Sequence, residues 1–464
     1  MKLTLAQLAA FLGISVPAAS AGVTVDKYTI DSREASDATL FVALPGERAD
    51  GHDFVAAAFA QGAEAALVAR EVPGQSKPQL VVPDVLAALQ QCASKARARW
   101  AKAVVGVTGS AGKTSSKEAI ATLLSAAFPV SRTTGNFNNH IGLPLSILRI
   151  DDAAQAAVLE MGMNHAGEIR ALCEIAKPEI GVVTNVGYAH VENFPNGIEG
   201  VAAAKRELIE SLPTDGTAVL NADDPRVAHF AQGLPLKVET FGLGVQAKTR
   251  ATRVTYSLEG ARFFIEDQEF HSRVPGRFGV LNVTAAVAVA RLYGVPLRLL
   301  AEKSLEIPAA KMRAERLVVN GMQIWNDCYN SNPDAARAML DMLRDTATAF
   351  APQGRKIAVL GEMLELGQWA EPLHSELGSY AVQSDVAVLI GIRGAARLTV
   401  ESALKAGLPD RAASFFDDPV SAGHYLKSIA QPGDSILFKG SRGTRVELAL
   451  EAFLKEPTLQ EPTA

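Results

Sequence analysis

The sequence predicts an α/β protein of three domains: a small α/β N-terminal domain, a central domain on a mostly parallel sheet, and a C-terminal Rossmann-like domain. Three observations predict it. The chain has 464 residues, too many for one hydrophobic core. Short apolar runs alternate with helix-period segments through its second and third thirds, the pattern of strands joined by covering helices. And the run VVGVTGSAGKTSSKEAIATLL, Val104 to Leu124, reads as a buried strand, a glycine-rich turn and a helix.

That run is the architecture of a phosphate-binding loop. Backbone N–H groups from Gly109 to Gly112 are expected to point at an anion, and the helix N-terminus adds partial positive charge. Lys113 is placed to reach the outer phosphates and the Thr114 hydroxyl to ligate magnesium. The usual spacing has a glycine five residues before Gly112, where this chain has Val107.

The first block, residues 1–85, opens with MKLTLAQLAAFLG, a short amphipathic helix without the apolar stretch and cleavage site of a signal peptide. It continues through strand-like runs (TLFVAL, AALVA, QLVVP) separated by Gly- and Pro-rich turns, and the helical run Val85 to Trp100 leads out of it. The second block, residues 86–312, carries the phosphate loop. The third, residues 313–464, repeats the strand–helix alternation with KIAVLG, VAVLIG and SILFKG as strands, and its tail LKEPTLQEPTA is expected to fray.

Composition narrows the function. Apolar residues make up 48% and charged residues 20%, as in an ordinary soluble globular protein. A net charge of −5 lacks the basic excess that neutralises a phosphate backbone, which argues against nucleic acid as a partner. No uncharged segment approaches the ~20 residues that span a bilayer; Val283 to Leu300 comes nearest and is interrupted by Arg291 and Arg298. Cys92, Cys173 and Cys328 show no metal or redox spacing, so a reducing, cytoplasmic setting is expected.

In open parallel sheets ligands bind beyond the carboxyl ends of the strands. The run AQAAVLEMGMNHAGEI delivers Glu160 at such an end, and IGVVTNVGYAHVENF ends near Asn185 with His190 just beyond. A carboxylate and an imidazole beside a triphosphate suit magnesium coordination and phosphoryl transfer. Read alone, Lys205 in EGVAAAKREL is a solvated helix charge. The segment TTGNFNNHIGLPLSIL gathers Asn136, Asn138 and Asn139, one of them a turn or cap and the others contacts to substrate or phosphate. His374, in HSELG, is a candidate for assisting an amine substrate or a helix-surface residue.

Taken together, TGSAGKTS, GNFNNHIGLP, EMGMNHAGEI, TNVGYAHVENF, AAAKREL, VLNADDP, NDCYNSNP, LGEMLELG and KGSRGTRVE resemble the Mur ligases, the ATP-dependent amide-forming family of peptidoglycan synthesis. The resemblance spans nearly the whole chain and is closest to the branch that adds D-alanyl-D-alanine to UDP-N-acetylmuramoyl-tripeptide. It implies an N-terminal UDP-substrate-binding domain, a central ATPase and a C-terminal Rossmann-like domain, in a monomeric cytoplasmic ligase working through an acyl phosphate.

By motif, the resemblance puts Gly109, Ser110, Ala111, Gly112, Lys113, Thr114 and Ser115 on the ATP phosphates, with Asn282 on the adenine side and Arg313 and Asp327 closing over phosphates and ribose. Lys113, Glu160, His190 and Lys205 form the implied catalytic set; Thr114, Glu160, His190 and Lys205 form a site for two magnesium ions, Lys205 being the lysine that many members carbamoylate. Ser32, Arg33, Asn136, Asn139, Lys439, Ser441 and Arg442 are the implied substrate contacts. Relatives commonly carry His-Asn where this chain has Phe278-Gly279, and Cys328 replaces a small polar residue. Two rival readings are a sister ligase adding another amino acid and a phosphate-loop switch that makes no amide. YNSNP and the absence of Asp-Asn-Pro-Arg in the last domain favour the dipeptide-adding branch over the diaminopimelate-adding one.

Overall fold

The computed structural model describes residues 1–46, 49–308 and 311–455. Glu47 and Arg48, and the fraying expected of the tail beyond residue 455, lie outside the described residues.

The N-terminal sheet has four parallel strands in the order Lys27–Thr29, Thr39–Val42, Ala65–Val68, Gln79–Val81. Strand alternation divides its side chains between two cores. Phe41, Ala66 and Val68 face a small cluster with Val55 and Ala58, while Leu40, Val42 and Leu67 face the other way. That second face shares one core with the helix Val85–Trp100 and the helix Gly142–Leu148, so the first sheet is fused to the central one. The Arg149 guanidinium, donating to the Tyr28 carbonyl at 2.6 Å and 2.9 Å, pins the joint.

The central sheet has nine strands. Seven run parallel, in the order Val130–Arg132, Ala156–Glu160, Ala103–Thr108, Ile180–Val183, Thr217–Asn221, Lys237–Gly242, Thr249–Ser257. Gly260–Ile265 and Gln268–Ser272 add an antiparallel extension that strand–helix alternation does not foresee. Register aligns the three tips that matter: Val183 lies beside Thr108, and Glu160 beside Val107. The helix Lys113–Leu124 packs Ile120, Leu123 and Leu124 against Val280, Val283 and Val287 of the helix Gly276–Leu292. Burying each such side chain is worth about 1.5–3 kcal/mol, which fixes the start of the first helix against the sheet.

The C-terminal sheet has six strands, Glu315–Val319, Met322–Asp327, Ser435–Lys439, Lys356–Gly361, Val388–Ile392 and Ala413–Phe416, parallel except for the first pair. The NSNP motif starts its first helix, Pro333–Phe350: the Asn332 side chain accepts the Ala335 N–H at 2.9 Å, and proline stands at the opening turn. Among the described residues no helix is long and apolar enough to cross a membrane.

Candidate active site

The turn after Ala103–Thr108 needs its glycines. A Cβ on Gly109 would lie 1.8 Å from Thr184 Oγ1, and Gly112 has φ +78° with Asn282 Oδ1 2.7 Å from where its Cβ would be. Both close approaches press the loop onto the neighbouring strand tip and onto the helix behind it.

The N–H groups of the loop do not all face an anion, as the sequence suggested. The Ser110 N–H donates to the Asn185 carbonyl at 3.0 Å, and the Ala111 N–H to Asn185 Oδ1 at 2.8 Å. Thr184 Oγ1 and Asn185 Nδ2 donate back to the Ala111 carbonyl at 2.6 Å and 3.0 Å. Asn185 sits one residue beyond Thr184 at the neighbouring strand's end, so it clamps the loop from the side. The N–H groups of Gly109, Gly112 and the first helical turn, Lys113 to Ser115, remain as anion-binding donors. Lys113 Nζ donates to the Gly109 carbonyl at 2.6 Å, and desolvation lowers its pKa.

Glu160 is buried at its strand end, and both oxygens are engaged: Thr114 Oγ1 donates to Oε2 at 2.9 Å and Asn138 Nδ2 to Oε1 at 2.8 Å. Of the asparagine cluster, then, Asn138 serves the carboxylate. Asn139 caps the helix Gly142–Leu148, its Oδ1 accepting the Gly142 N–H at 2.8 Å, and Asn136 is exposed. His190 has φ +61°, and its Nδ1 lies 2.5 Å from Glu365 Oε2 of the C-terminal domain.

Lys205 is no solvated helix charge. It is 1% exposed, and among the described residues no acceptor or carboxylate pairs with its amine. Desolvation first, and the Lys113 charge second, hold its pKa well below the ordinary lysine value.

A cavity of about 390 Å³ joins several of these groups, and Lys205 is not among the residues that line it. Ser110 to Ser115, Asn136, Asn139, Glu160, His190, Asn282, Arg313, Asp327 and Lys439 line it. Phe278 lines it as well, with Tyr329 from the C-terminal side. Asn282 turns its Oδ1 toward the phosphate-loop helix, accepting from Ser116 Oγ at 3.0 Å. Arg313 stacks on Tyr329 at 4.1 Å. Among the described residues no three His, Cys, Asp or Glu side chains cluster as a metal site.

Three of the residues singled out in the sequence are engaged within the protein. Lys439, whose Nζ meets Asp327 Oδ2 at 2.5 Å and the Asn330 carbonyl at 3.0 Å, is buried and already paired, because sheet register sets its strand end beside Asp327. Ser441 is buried and joins loops, donating to the Ser331 carbonyl and accepting the Leu364 N–H. His374 is fully buried: Nδ1 donates to the Ala370 carbonyl at 2.7 Å and Nε2 accepts the Met363 N–H at 2.9 Å, leaving no nitrogen for an amine. Ser441 and Arg442 line a second cavity, of about 680 Å³, that adjoins the first at Thr114 and Arg313. Ser32 and Arg33 lie outside both, in the short turn Ser32–Glu34, where Arg33 is exposed and paired with Asp31.

Comparisons with known proteins agree along the chain. Family models match in three stretches: "Mur ligase family, catalytic domain" over residues 24–97, "Mur ligase middle domain" over 107–290, and "Mur ligase, glutamate ligase domain" over 312–442. The UDP-N-acetylmuramoyl-tripeptide–D-alanyl-D-alanine ligase of Bacillus subtilis is 34% identical over 92% of this chain and 93% of its own. The Escherichia coli K12 enzyme of the same name is 31% identical over 99% and 100%. Among solved structures, MurF from Acinetobacter baumannii superposes with a TM-score of 0.87 at 29% identity, covering 98% of this chain and 99% of that one. MurF from Thermotoga maritima, in complex with ADP, gives 0.77 at 29% identity over 92% and 96%.

Proposed function

The chain belongs to the Mur ligase family, and from that premise we propose that it joins D-alanyl-D-alanine to UDP-N-acetylmuramoyl-tripeptide at the expense of ATP. The observation that carries the reading is the cavity that brings the phosphate loop, the buried Glu160 and the C-terminal residues Arg313 and Asp327 to one place. The reaction needs a γ-phosphate held between a donor-rich loop and a second domain that supplies the other substrate.

A carboxylate repels an incoming amine, so it is activated first. The terminal carboxylate of the tripeptide attacks the γ-phosphorus of ATP, the bond to the β-phosphate oxygen breaks, and ADP leaves an acyl phosphate. The dipeptide amine then attacks the acyl carbon, a C–N bond forms, the amine gives up a proton and phosphate departs. The first-turn N–H groups and Lys113 stabilise charge that builds on the γ-phosphoryl oxygens, Lys113 exchanging the Gly109 carbonyl for phosphate.

Thr114, Glu160 and His190 would hold magnesium, a Lewis acid that neutralises phosphate charge. The fit lies in the donor chemistry, a buried carboxylate already touching the Thr114 hydroxyl. A desolvated Lys205 amine with no carboxylate partner is the form that reacts with carbon dioxide, and its carbamate would add a second anionic oxygen donor. Every group named lies on one chain, so the reading needs a single copy, acting where ATP and UDP-linked precursors occur, in the cytoplasm.

The test is phosphate release from ATP in the presence of UDP-N-acetylmuramoyl-tripeptide, across D,D-dipeptides and single amino acids. Release that requires D-alanyl-D-alanine supports the reading. Release with single amino acids alone moves the chain to a sister activity, and release indifferent to any amine makes it a nucleotide switch.

A further inference from the structure

The second cavity adjoins the phosphate loop at Thr114 and extends to Arg442. Lys311, Arg313 and Arg442 make its lining cationic, and among the described residues lining it Glu365 is the one carboxylate. Glu365 is not a passive surface acid. Its backbone takes φ +64°, a left-handed conformation that costs a non-glycine residue on the order of 1 kcal/mol. Its carbonyl accepts the Glu192 N–H at 3.2 Å, which anchors this C-terminal-domain loop on the central domain. One carboxylate oxygen, Oε2, faces His190; among the described residues no donor reaches Oε1, and the side chain is 48% exposed.

Leu364 is next in the chain, 39% exposed and apolar, with its N–H on Ser441 Oγ at 2.9 Å and its side chain reaching toward Gly443. Arg442 lines the same cavity, 65% exposed at its side chain, with Nη1 3.7 Å from Glu447 Oε1 and from Met312 Sδ. The lining therefore carries a carboxylate, an apolar surface and a guanidinium. That is the complement of a short zwitterion with an ammonium at one end, small apolar groups between and a carboxylate at the other.

We propose that Glu365 is the residue that receives the ammonium group of the incoming D,D-dipeptide, with Leu364 against its methyl groups and Arg442 at its carboxylate. The assignment rests on the ligase reading and adds to it the group that selects an amine-bearing substrate. It sets the ammonium at the Thr114 end of the cavity, beside the place where the acyl phosphate forms, so that once its proton has passed to solvent the free amine already points at its target.

The experiment uses the full chain with ATP, magnesium and UDP-N-acetylmuramoyl-tripeptide. The parent chain is assayed first. If it makes no amide with D-alanyl-D-alanine, the ligase reading fails; if it does, the variants interrogate Glu365 alone. Glu365→Gln is expected to raise the KM for the dipeptide by about 30-fold, the scale of a charge-assisted contact, with the KM for ATP moving less than about threefold. Glu365→Asp should recover part of that loss.

The parent should also bind D-alanyl-D-alanine more tightly than N-acetyl-D-alanyl-D-alanine, a probe with no ammonium titrated as a competitor, and Glu365→Gln should lose that discrimination. An unchanged dipeptide KM overturns the proposal. So does a KM for ATP that rises in step with it, because Glu365 would then act through His190. Should Glu365→Gln fail to fold, Glu365→Asp is judged by the same two criteria.

Discussion

Thr114 Oγ1 donates to Glu160 Oε2 at 2.9 Å, tying the first turn of the phosphate-loop helix to the tip of the adjacent strand. Asn138 holds the other oxygen, so a carboxylate that is 2% exposed is fully oriented by the protein itself. Burying a charge this way is costly unless something cationic shares the site. Glu160→Gln keeps the shape and an acceptor for Thr114 but removes the charge. It should fold like the parent by circular dichroism and lose at least ~10²-fold in turnover, as when one preorganised electrostatic group is deleted. Titrating magnesium against phosphate release should show a rightward shift, and near-parental turnover at every magnesium level would remove Glu160 from the site.

Lys205 leads to a dependence on dissolved carbon dioxide. Burial and the neighbouring Lys113 charge lower its pKa, so the neutral amine that attacks carbon dioxide is present well below the pH at which an exposed lysine deprotonates. Lowering the pH protonates the amine and raising it frees the amine, so carbamate occupancy should climb with pH. In carbon-dioxide-depleted buffer activity should fall and return on adding bicarbonate, and labelled bicarbonate should give a carbamate carbon resonance that Lys205→Ala lacks. Activity indifferent to bicarbonate, with no such resonance, would mean Lys205 acts as an unmodified amine.

His374 belongs to stability. Burial holds its pKa below the ordinary value of 6.5, with both nitrogens used as drawn above. The unfolded chain takes up a proton below pH 6.5 that the native imidazole resists, so the unfolded state binds more protons there. Native stability is therefore fully present above pH 6.5 and declines as pH falls below it toward the depressed native pKa. Thermal melts from pH 8 to pH 5 should show that decline in the parent and a weaker one in His374→Gln. His374→Ala, which strands the Met363 N–H in a buried place, should lose about 1–3 kcal/mol of stability at neutral pH.

Local pattern was enough to locate much of this molecule. The strand–glycine–helix run is a feature of neighbouring residues, and Glu160 between Leu159 and Met161 announces a buried strand end. The partners of those residues were a different matter, since they depend on register and on contacts between domains. Nothing near Lys439 in sequence marks Asp327 as its ion-pair partner, and nothing near His190 marks Glu365. The asparagine cluster shows the same limit: its composition suggested ligand contacts, but only the fold assigns Asn138 to the carboxylate and Asn139 to a helix cap. The buried state of Lys205 was equally hidden, because a lysine on an amphipathic helix reads as solvent-facing until the helix is packed against its sheet.

Asn185 provides a prediction that separates geometry from charge. Its side chain accepts the Ala111 N–H at 2.8 Å and donates to the Ala111 carbonyl at 3.0 Å, while its own carbonyl takes the Ser110 N–H. Asn185→Ala deletes the two side-chain bonds, leaving the Ala111 N–H without its acceptor and its carbonyl with Thr184 alone. The looser loop should weaken ATP binding on the order of tenfold, within the cost of one unsatisfied backbone group. Asn185→Asp is the same size and can still accept the Ala111 N–H, so a purely steric role predicts a milder effect than alanine. It cannot donate to the Ala111 carbonyl, however, and it sets a negative charge beside a loop that must receive a triphosphate. Affinity for ATP, measured by calorimetric titration, should therefore fall in the order Asn, Ala, Asp. If Asp binds ATP better than Ala, the clamp works by shape alone and the loop tolerates a neighbouring anion.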